Sequence, residues 1–312
     1  MLGLGRSKGP SQQLACLLSN TGFSLIGFTS PQDLTFYDTH YSTEHTSEIV
    51  RKNLTETVKK HNLYGLNCQV ILAPNLYELL LLDALDVEEA EMAKALRWQL
   101  KGLISYPLKD IVIDTFSIPL HGGGNKRNKV FAAVTPQSSL TEHINLIEKC
   151  FLKVKSVSIG ELAIGHLIKQ MALAPDDACL VIGYSGKSCQ FLFFYKEDLY
   201  FFRTITMNHS IVEFDNSANQ NMAVEIQRSI DYCSRELKLP EPNHVFFTPS
   251  FYKAEGLASF LKTELEKDIR VLDLNTCFMN SRLPHEVMAK IFYAVGGMFM
   301  LLDNQRGPNA KY

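Results

Sequence analysis

Three short apolar runs separated by two tight polar turns fill the middle of the chain, and they restrict the fold more than any other stretch. The runs Ala178–Tyr184, Ser188–Tyr195 and Leu199–Ile205 are aromatic and aliphatic; Ser185-Gly-Lys187 and Lys196-Glu-Asp198 separate them. Runs of β-formers joined by such turns read as an antiparallel meander. A meander that starts midway along 312 residues implies two lobes, each built on such a sheet.

The first turn carries Gly186-Lys187-Ser188, the tail of a phosphate-binding P-loop. The motif's first glycine would fall at Val181, and Ser188–Tyr195 reads as a strand where the motif needs a helix N-terminus. The turn therefore reads as a hairpin, with Gly183, Ser185, Gly186 and Lys187 as vestigial phosphate-loop candidates.

Charge excludes further classes. A net charge of −2 gives no global field to draw nucleic acid or an anionic membrane. Seven scattered cysteines without C-x-x-C spacing suit buried free thiols in a reducing compartment. Met1-Leu-Gly-Leu-Gly-Arg-Ser-Lys8 has no apolar core of a signal peptide, and the apolar run Ile291–Leu302 is too short to span a bilayer. The chain is thus expected to be soluble alone and to reach a membrane only through a partner.

In chain order, residues 12–28 read as a hairpin and residues 31–47 as a polar loop. Asp38, His40, Glu44, His45 and Glu48 invite a metal, but a loop lacks the rigid scaffold that ligands need, so no metal is expected. Helices are expected at Ser47–His61, Leu76–Leu85 and from Asp86 to about Ile104. A buried strand is expected at Cys68–Ala73. Strands after Tyr106 and at Val130–Val134 flank a solvated loop, residues 121–129, and Leu140–Phe151 reads as a helix. Residues 86–153 form a helix–strand–strand–helix unit inserted in the first lobe, which comprises residues 1–85, 154–177 and the helix 286–302. Residues 178–285 form the second lobe. There Met222, Ile226, Ile230, Cys233 and Leu237 make one apolar helical stripe. The tail from Asp303 reads as frayed.

Several segments, in order, carry a resemblance: Ala95-Leu-Arg-Trp-Gln-Leu-Lys-Gly-Leu-Ile104, Tyr106-Pro-Leu-Lys-Asp-Ile-Val-Ile-Asp-Thr-Phe116, Leu199-Tyr-Phe-Phe-Arg203, Glu225-Ile-Gln-Arg-Ser-Ile-Asp-Tyr232 and Phe292-Tyr-Ala-Val-Gly-Gly297. Together they resemble the PilM family of type IV pilus assembly proteins, in its MshI branch serving the mannose-sensitive haemagglutinin pilus. The resemblance implies an α/β, two-lobed actin-like (RNase H-like) fold with a small α+β subdomain inserted in the first lobe.

The departures bear on activity. Nucleotide-binding members have an Asp-x-Gly loop and a lysine in the first hairpin, where this chain has Leu17, Ser19 and Ser24. A second Asp-x-Gly is replaced around Ile182-Gly183-Tyr184-Ser185, and a Gly-Gly pair by Thr248-Pro249-Ser250. Those acids hold Mg²⁺ or its waters, and the glycines let backbone close on phosphate. The implied function is a non-enzymatic pseudo-ATPase scaffold without a cofactor, peripheral at the inner membrane. Its implied partner is the cytoplasmic N-terminal tail of a PilN-like single-pass protein, alongside other components of the assembly platform. The tail groove is expected beside the inserted subdomain, near Arg97, Trp98 and Lys101. Trp98 either anchors the partner or fills the subdomain's core. Gln227, Arg228 and Tyr232 either contact a partner or pin their helix to its lobe. The alternative is an active actin-like ATPase using ATP, for which Asp83, Asp114 and Asp215 are the nearest acids. A nuclease of RNase H type lacks the clustered carboxylates and basic surface it needs.

Overall fold

The computed structural model describes residues 12–305 apart from His45, residues 120–128, Ala172, Pro175, residues 186–187, residues 208–215, residues 253–254 and Asn280. Two five-stranded sheets share one plan. In the first, β1 (Gln13–Ser19), β2 (Gly22–Ser30) and β3 (Asp33–Tyr41) form an antiparallel meander. Helix α1 (Ser47–His61) leads to β4 (Asn67–Leu72), parallel to β1, and β8 (Lys153–Ile159) adds in parallel at the edge. The strand order is β3-β2-β1-β4-β8. In the second, β9 (Ala178–Ser185), β10 (Ser188–Tyr195) and β11 (Asp198–Thr206) repeat the meander. Strands β12 (His244–Phe247) and β13 (Asp268–Val271) extend it in parallel, giving β11-β10-β9-β12-β13.

The connection from β4 to β8 carries a third sheet. Strand β5 (Glu78–Asp83) precedes helix α2 (Glu89–Leu96), and β6 (Ile111–Ser117) and β7 (Lys129–Pro136) follow in the order β5-β7-β6. Helix α3 (Gln137–Lys149) then packs on α1 and β8, as the crossover joining two parallel strands. The three-stranded sheet therefore takes in β5, ahead of residue 86, while α3 lies against the first lobe.

Other expectations are corrected. Leu76–Leu85 is no helix: Leu79, Leu80, Leu81 and Leu82 form β5, paired antiparallel with β7. A short all-apolar run suits a buried strand or a buried helix equally, so periodicity could not decide. Residues 33–41 are not loop. Leu34 and Phe36 alternate with outward Thr35 and Tyr37, and pairing with β2 makes them an edge strand. Helix α2 stops at Leu96 and turns follow, in which Gly102, at φ +82°, takes the left-handed conformation that glycine adopts freely. The loop expected at 121–129 lies, except for Lys129, outside the described residues.

Helix α4 (Gly160–Gln170) and α7 (His285–Gln305) lie against one another, and α7 crosses β1, β2 and β4. One core runs from the first sheet through these helices to Val181, Leu192, Phe194 and Phe246 of the second. A Cβ on Gly296 would stand 2.3 Å from the Ala163 carbonyl oxygen, and one on Gly297 2.7 Å from Ile71. The glycine pair is what lets α7 approach both α4 and β4. By length and composition α7 could cross a membrane, yet 61% of its most apolar window is buried inside the protein. Its end is not frayed at Asp303, which is buried and paired with His166 at 2.9 Å. On the far side of the second sheet, α5 (Asn216–Arg235) and α6 (Glu255–Leu265) cover a second core, with Ile226 and Ile230 buried.

Candidate functional site

A cleft of about 370 Å³ opens where the two lobes meet. Tyr77 enters from the chain before β5, Glu161 from the first turn of α4, Gln190 from β10 and Tyr293 from α7. Glu161 is 1% exposed. Its carboxylate accepts from the Tyr77 hydroxyl and from the Gln190 amide, so one buried acid links the first lobe to the second sheet. The Gly160 backbone N–H donates to Tyr77 Oη at 3.1 Å. Burial pushes the Glu161 carboxyl above its usual range, against the lowering effect of its hydrogen bonds. Burial and the nearby carboxylate push the phenols of Tyr77 and Tyr293 up as well. An incoming phosphate would meet this carboxylate rather than an array of donors.

The loops that would grip a nucleotide are occupied with themselves. Ser19 Oγ donates to the Gly22 carbonyl at 3.0 Å and lies 3.1 Å from Thr21 Oγ1. Ser24 is buried and donates to the Lys290 carbonyl at 2.8 Å. Thr248 and Ser250 hydroxyls bond each other at 2.7 Å, in a 3₁₀ turn where Phe251 packs on Phe247. Gly183 is buried in β9; a Cβ there would make ordinary contact at 3.7 Å with Thr248 and Tyr293, so no close approach demands a glycine. Gly186 and Lys187 lie outside the described residues, and nothing is described of the Ser185 side chain. Asp83 pairs with Lys129 at 2.6 Å and Asp114 accepts from the Thr115 N–H; neither lines the cleft, and Asp215 is outside the described residues. Among the described residues, no group of three His, Cys, Asp or Glu side chains is placed to hold a metal ion.

A larger groove of about 630 Å³ lies between the inserted subdomain, α4 and α7 of the first lobe, and the β10–β11 hairpin of the second. Its apolar lining includes Phe116, Leu162, Phe194, Leu199 and Met300. Its rim carries Glu89, Glu197 and Asp198, with Lys169 paired to Glu197 at 3.1 Å. Burial raises the Asp198 carboxyl and lowers the His166 imidazole, the latter opposed by Asp303. A groove beside the inserted subdomain is expected from the resemblance, but no motif points to these lining residues. Its lining comes from five separate segments, and only the topology unites them.

Arg97, Trp98 and Lys101 lie at the opposite end of α2 from Glu89 and do not line the groove. The Arg97 guanidinium donates to the carbonyls of Leu108 at 2.6 Å and Ile111 at 3.1 Å, tying the turn to β6. Trp98 is 76% exposed, which overturns the reading that it fills the subdomain's core; Leu96 and Leu100 do that. Lys101 is exposed. On α5, Gln227 bonds Asp231 at 2.8 Å and Arg228 pairs with Glu225 at 2.6 Å. Tyr232 is half exposed against Phe201. The residue that fastens α5 to its sheet is Arg203, which reaches Glu225 at 2.8 Å and Ser229 at 3.1 Å and lies over the Phe191 ring.

No protein-family profile and no curated protein matches this sequence. Solved structures do match its shape. A structure of the PilM–PilN type IV pilus biogenesis complex superposes with a TM-score of 0.71 at 14% identity, covering 94% of this chain and 98% of that one. The cytoplasmic domain of EpsL, an inner-membrane component of the type II secretion system of Vibrio cholerae, gives 0.53 at 11% identity over 94% and 95%. A Bacteroides thetaiotaomicron protein of unknown function with an actin-like ATPase fold gives 0.53 at 12% over 88% and 97%. At such identities the likeness speaks of architecture, and on that evidence the chain has the two-lobed actin-like ATPase fold with a small subdomain inserted in its first lobe.

Proposed function

We propose that this protein is a non-enzymatic scaffold of a type IV pilus assembly platform, of the MshI kind, that holds the cytoplasmic N-terminal tail of a PilN-like inner-membrane protein. The observation that carries the reading is the groove that the inserted subdomain forms with α4, α7 and the β10–β11 hairpin. It has an apolar floor long enough for a few side chains and an acidic rim. A tail ordered in it loses conformational freedom, so it needs apolar anchors to bind, and the rim favours basic residues beside them. Full-length likeness to a PilM–PilN complex and to the cytoplasmic domain of a secretion-system inner-membrane component supports the same role.

The interlobe cleft supports a pseudo-ATPase. Its buried carboxylate is the wrong charge for a phosphate, and the hairpin and 3₁₀-turn hydroxyls are already paired. The protein then sits at the inner membrane through its partner and needs no cofactor.

Co-expression with a PilN-like protein tests the role. Leu162, partly exposed on α4 in the groove floor, is the site to vary. Leu162→Asp is expected to weaken binding of the tail about tenfold or more, since anchors in desolvated pockets dominate such interfaces. Full retention of the partner by a folded Leu162→Asp variant would place the tail elsewhere.

A further inference from the structure

The net charge of −2 conceals a local concentration of positive charge at one end of the first lobe. The turn after α1 and the turn after α3 meet there. The Gly65 N–H donates to the Phe151 carbonyl at 2.7 Å, and the Lys153 N–H donates to the Leu66 carbonyl at 2.9 Å. Tyr64 and Phe151 project from these joined turns, 49% and 55% exposed, with ring centroids 5.6 Å apart.

Phe151 has φ +67°, the conformation that follows many helix ends and is usually filled by glycine. It is the sole aromatic with positive φ among the described residues. A bulky side chain in that conformation is strained, and here it is left in water, so neither backbone preference nor burial accounts for it. Lys59, Lys149, Lys153 and Lys155 are exposed on α1, α3 and β8, the elements that flank these turns, and none makes an ion pair among the described residues. Lys59 and Lys149 complement the negative ends of α1 and α3. Lys153 and Lys155 stand on the edge strand β8, beyond any helix end, and have no such role. Glu148 is the acid closest in sequence.

We propose that this aromatic–lysine platform rests on an anionic lipid surface. Aromatic rings settle at the level of lipid headgroups, and lysines around them are drawn to the negative surface potential. The edge position of β8 leaves both lysines free to reach a plane rather than a groove. Leu301 shares a surface depression with Gly65, Leu66 and Lys155, while Met300 and Asn304, its neighbours on α7, line the large groove. A bilayer-anchored tail in that groove would therefore hold the platform close to the bilayer. Only this juxtaposition rests on the proposed tail binding; the lipid contact stands without it.

Co-sedimentation of the full chain, without partner, is read on phosphatidylcholine vesicles with and without phosphatidylglycerol. Binding is expected only with phosphatidylglycerol, weakening as salt rises. Lys153→Gln and Lys155→Gln should each lower it about five-fold. Phe151→Gly should lower it too while its melting temperature holds or rises, because glycine relieves the backbone; that separates lost contact from lost fold. Equal pelleting with neutral vesicles, no pelleting with phosphatidylglycerol, or undiminished binding by the variants would overturn the proposal. Capture of an acidic protein by this face in the absence of vesicle binding would overturn it as well.

Discussion

Arg97 and Trp98 are neighbours in sequence with opposite fates. Two hydrogen bonds from Arg97 to main-chain carbonyls hold the turn onto β6, whereas Trp98 stands in solvent. Charge-assisted bonds of this type contribute about 1.5–3 kcal/mol. Arg97→Ala should therefore lower the urea midpoint measurably, and Trp98→Ala should leave it unchanged. A comparable loss for both would mean the tryptophan packs against something. Glu161 makes the sharpest case at this scale. Its carboxyl is raised above the ordinary 4.5 by burial, so the native state holds the proton more tightly than the unfolded chain. The stability it contributes is full below about pH 4.5 and is lost as pH rises through the native value. Glu161→Gln stays neutral and keeps partners for Tyr77 and Gln190, so its stability relative to the parent should climb from pH 4.5 towards pH 7. A constant difference across that range would mean Glu161 titrates normally.

At the scale of elements, α5 and α7 bury themselves by different means. The stripe on α5 places Ile226 and Ile230 in the core, and Arg235 reaches Asp231 at 3.6 Å from an exposed position. Ile226→Ala or Ile230→Ala should cost about 2–5 kcal/mol, and Arg235→Ala about 0–1 kcal/mol. Equal losses in chemical denaturation would contradict the assigned face. For α7 the close contact is backbone to backbone, so Gly296→Ala should destabilise through overpacking by about 1–3 kcal/mol. Both helices were legible in the sequence, the first from its 3.6-residue stripe and the second from its apolar length. The meander of β9, β10 and β11 was legible from its turns. Strand β5 was not, because four successive leucines carry no period. Strand β3 was missed because polar residues, among them Asp33, Asp38 and His40, suggested a loop. The groove's lining was beyond reach for another reason: Glu89, Phe116, Leu162 and Leu199 are far apart in sequence and come together only once the insertion and the β10–β11 hairpin fold against α4.

The whole molecule repeats one strand order in two sheets and joins them through α4 and α7. Where the lobes meet, the Glu161 network closes the cleft from within, and the larger groove opens on the side of the inserted subdomain. In the proposed function, binding of the tail is independent of nucleotide. The direct measurement is a calorimetric titration of a synthetic PilN-like N-terminal tail into the full chain, first alone and then with Mg·ATP in excess. Tail binding of the same affinity in both, with no heat from Mg·ATP itself, is the predicted result. Tail binding that appears only with Mg·ATP, or low-micromolar binding of Mg·ATP to the free protein, would contradict it.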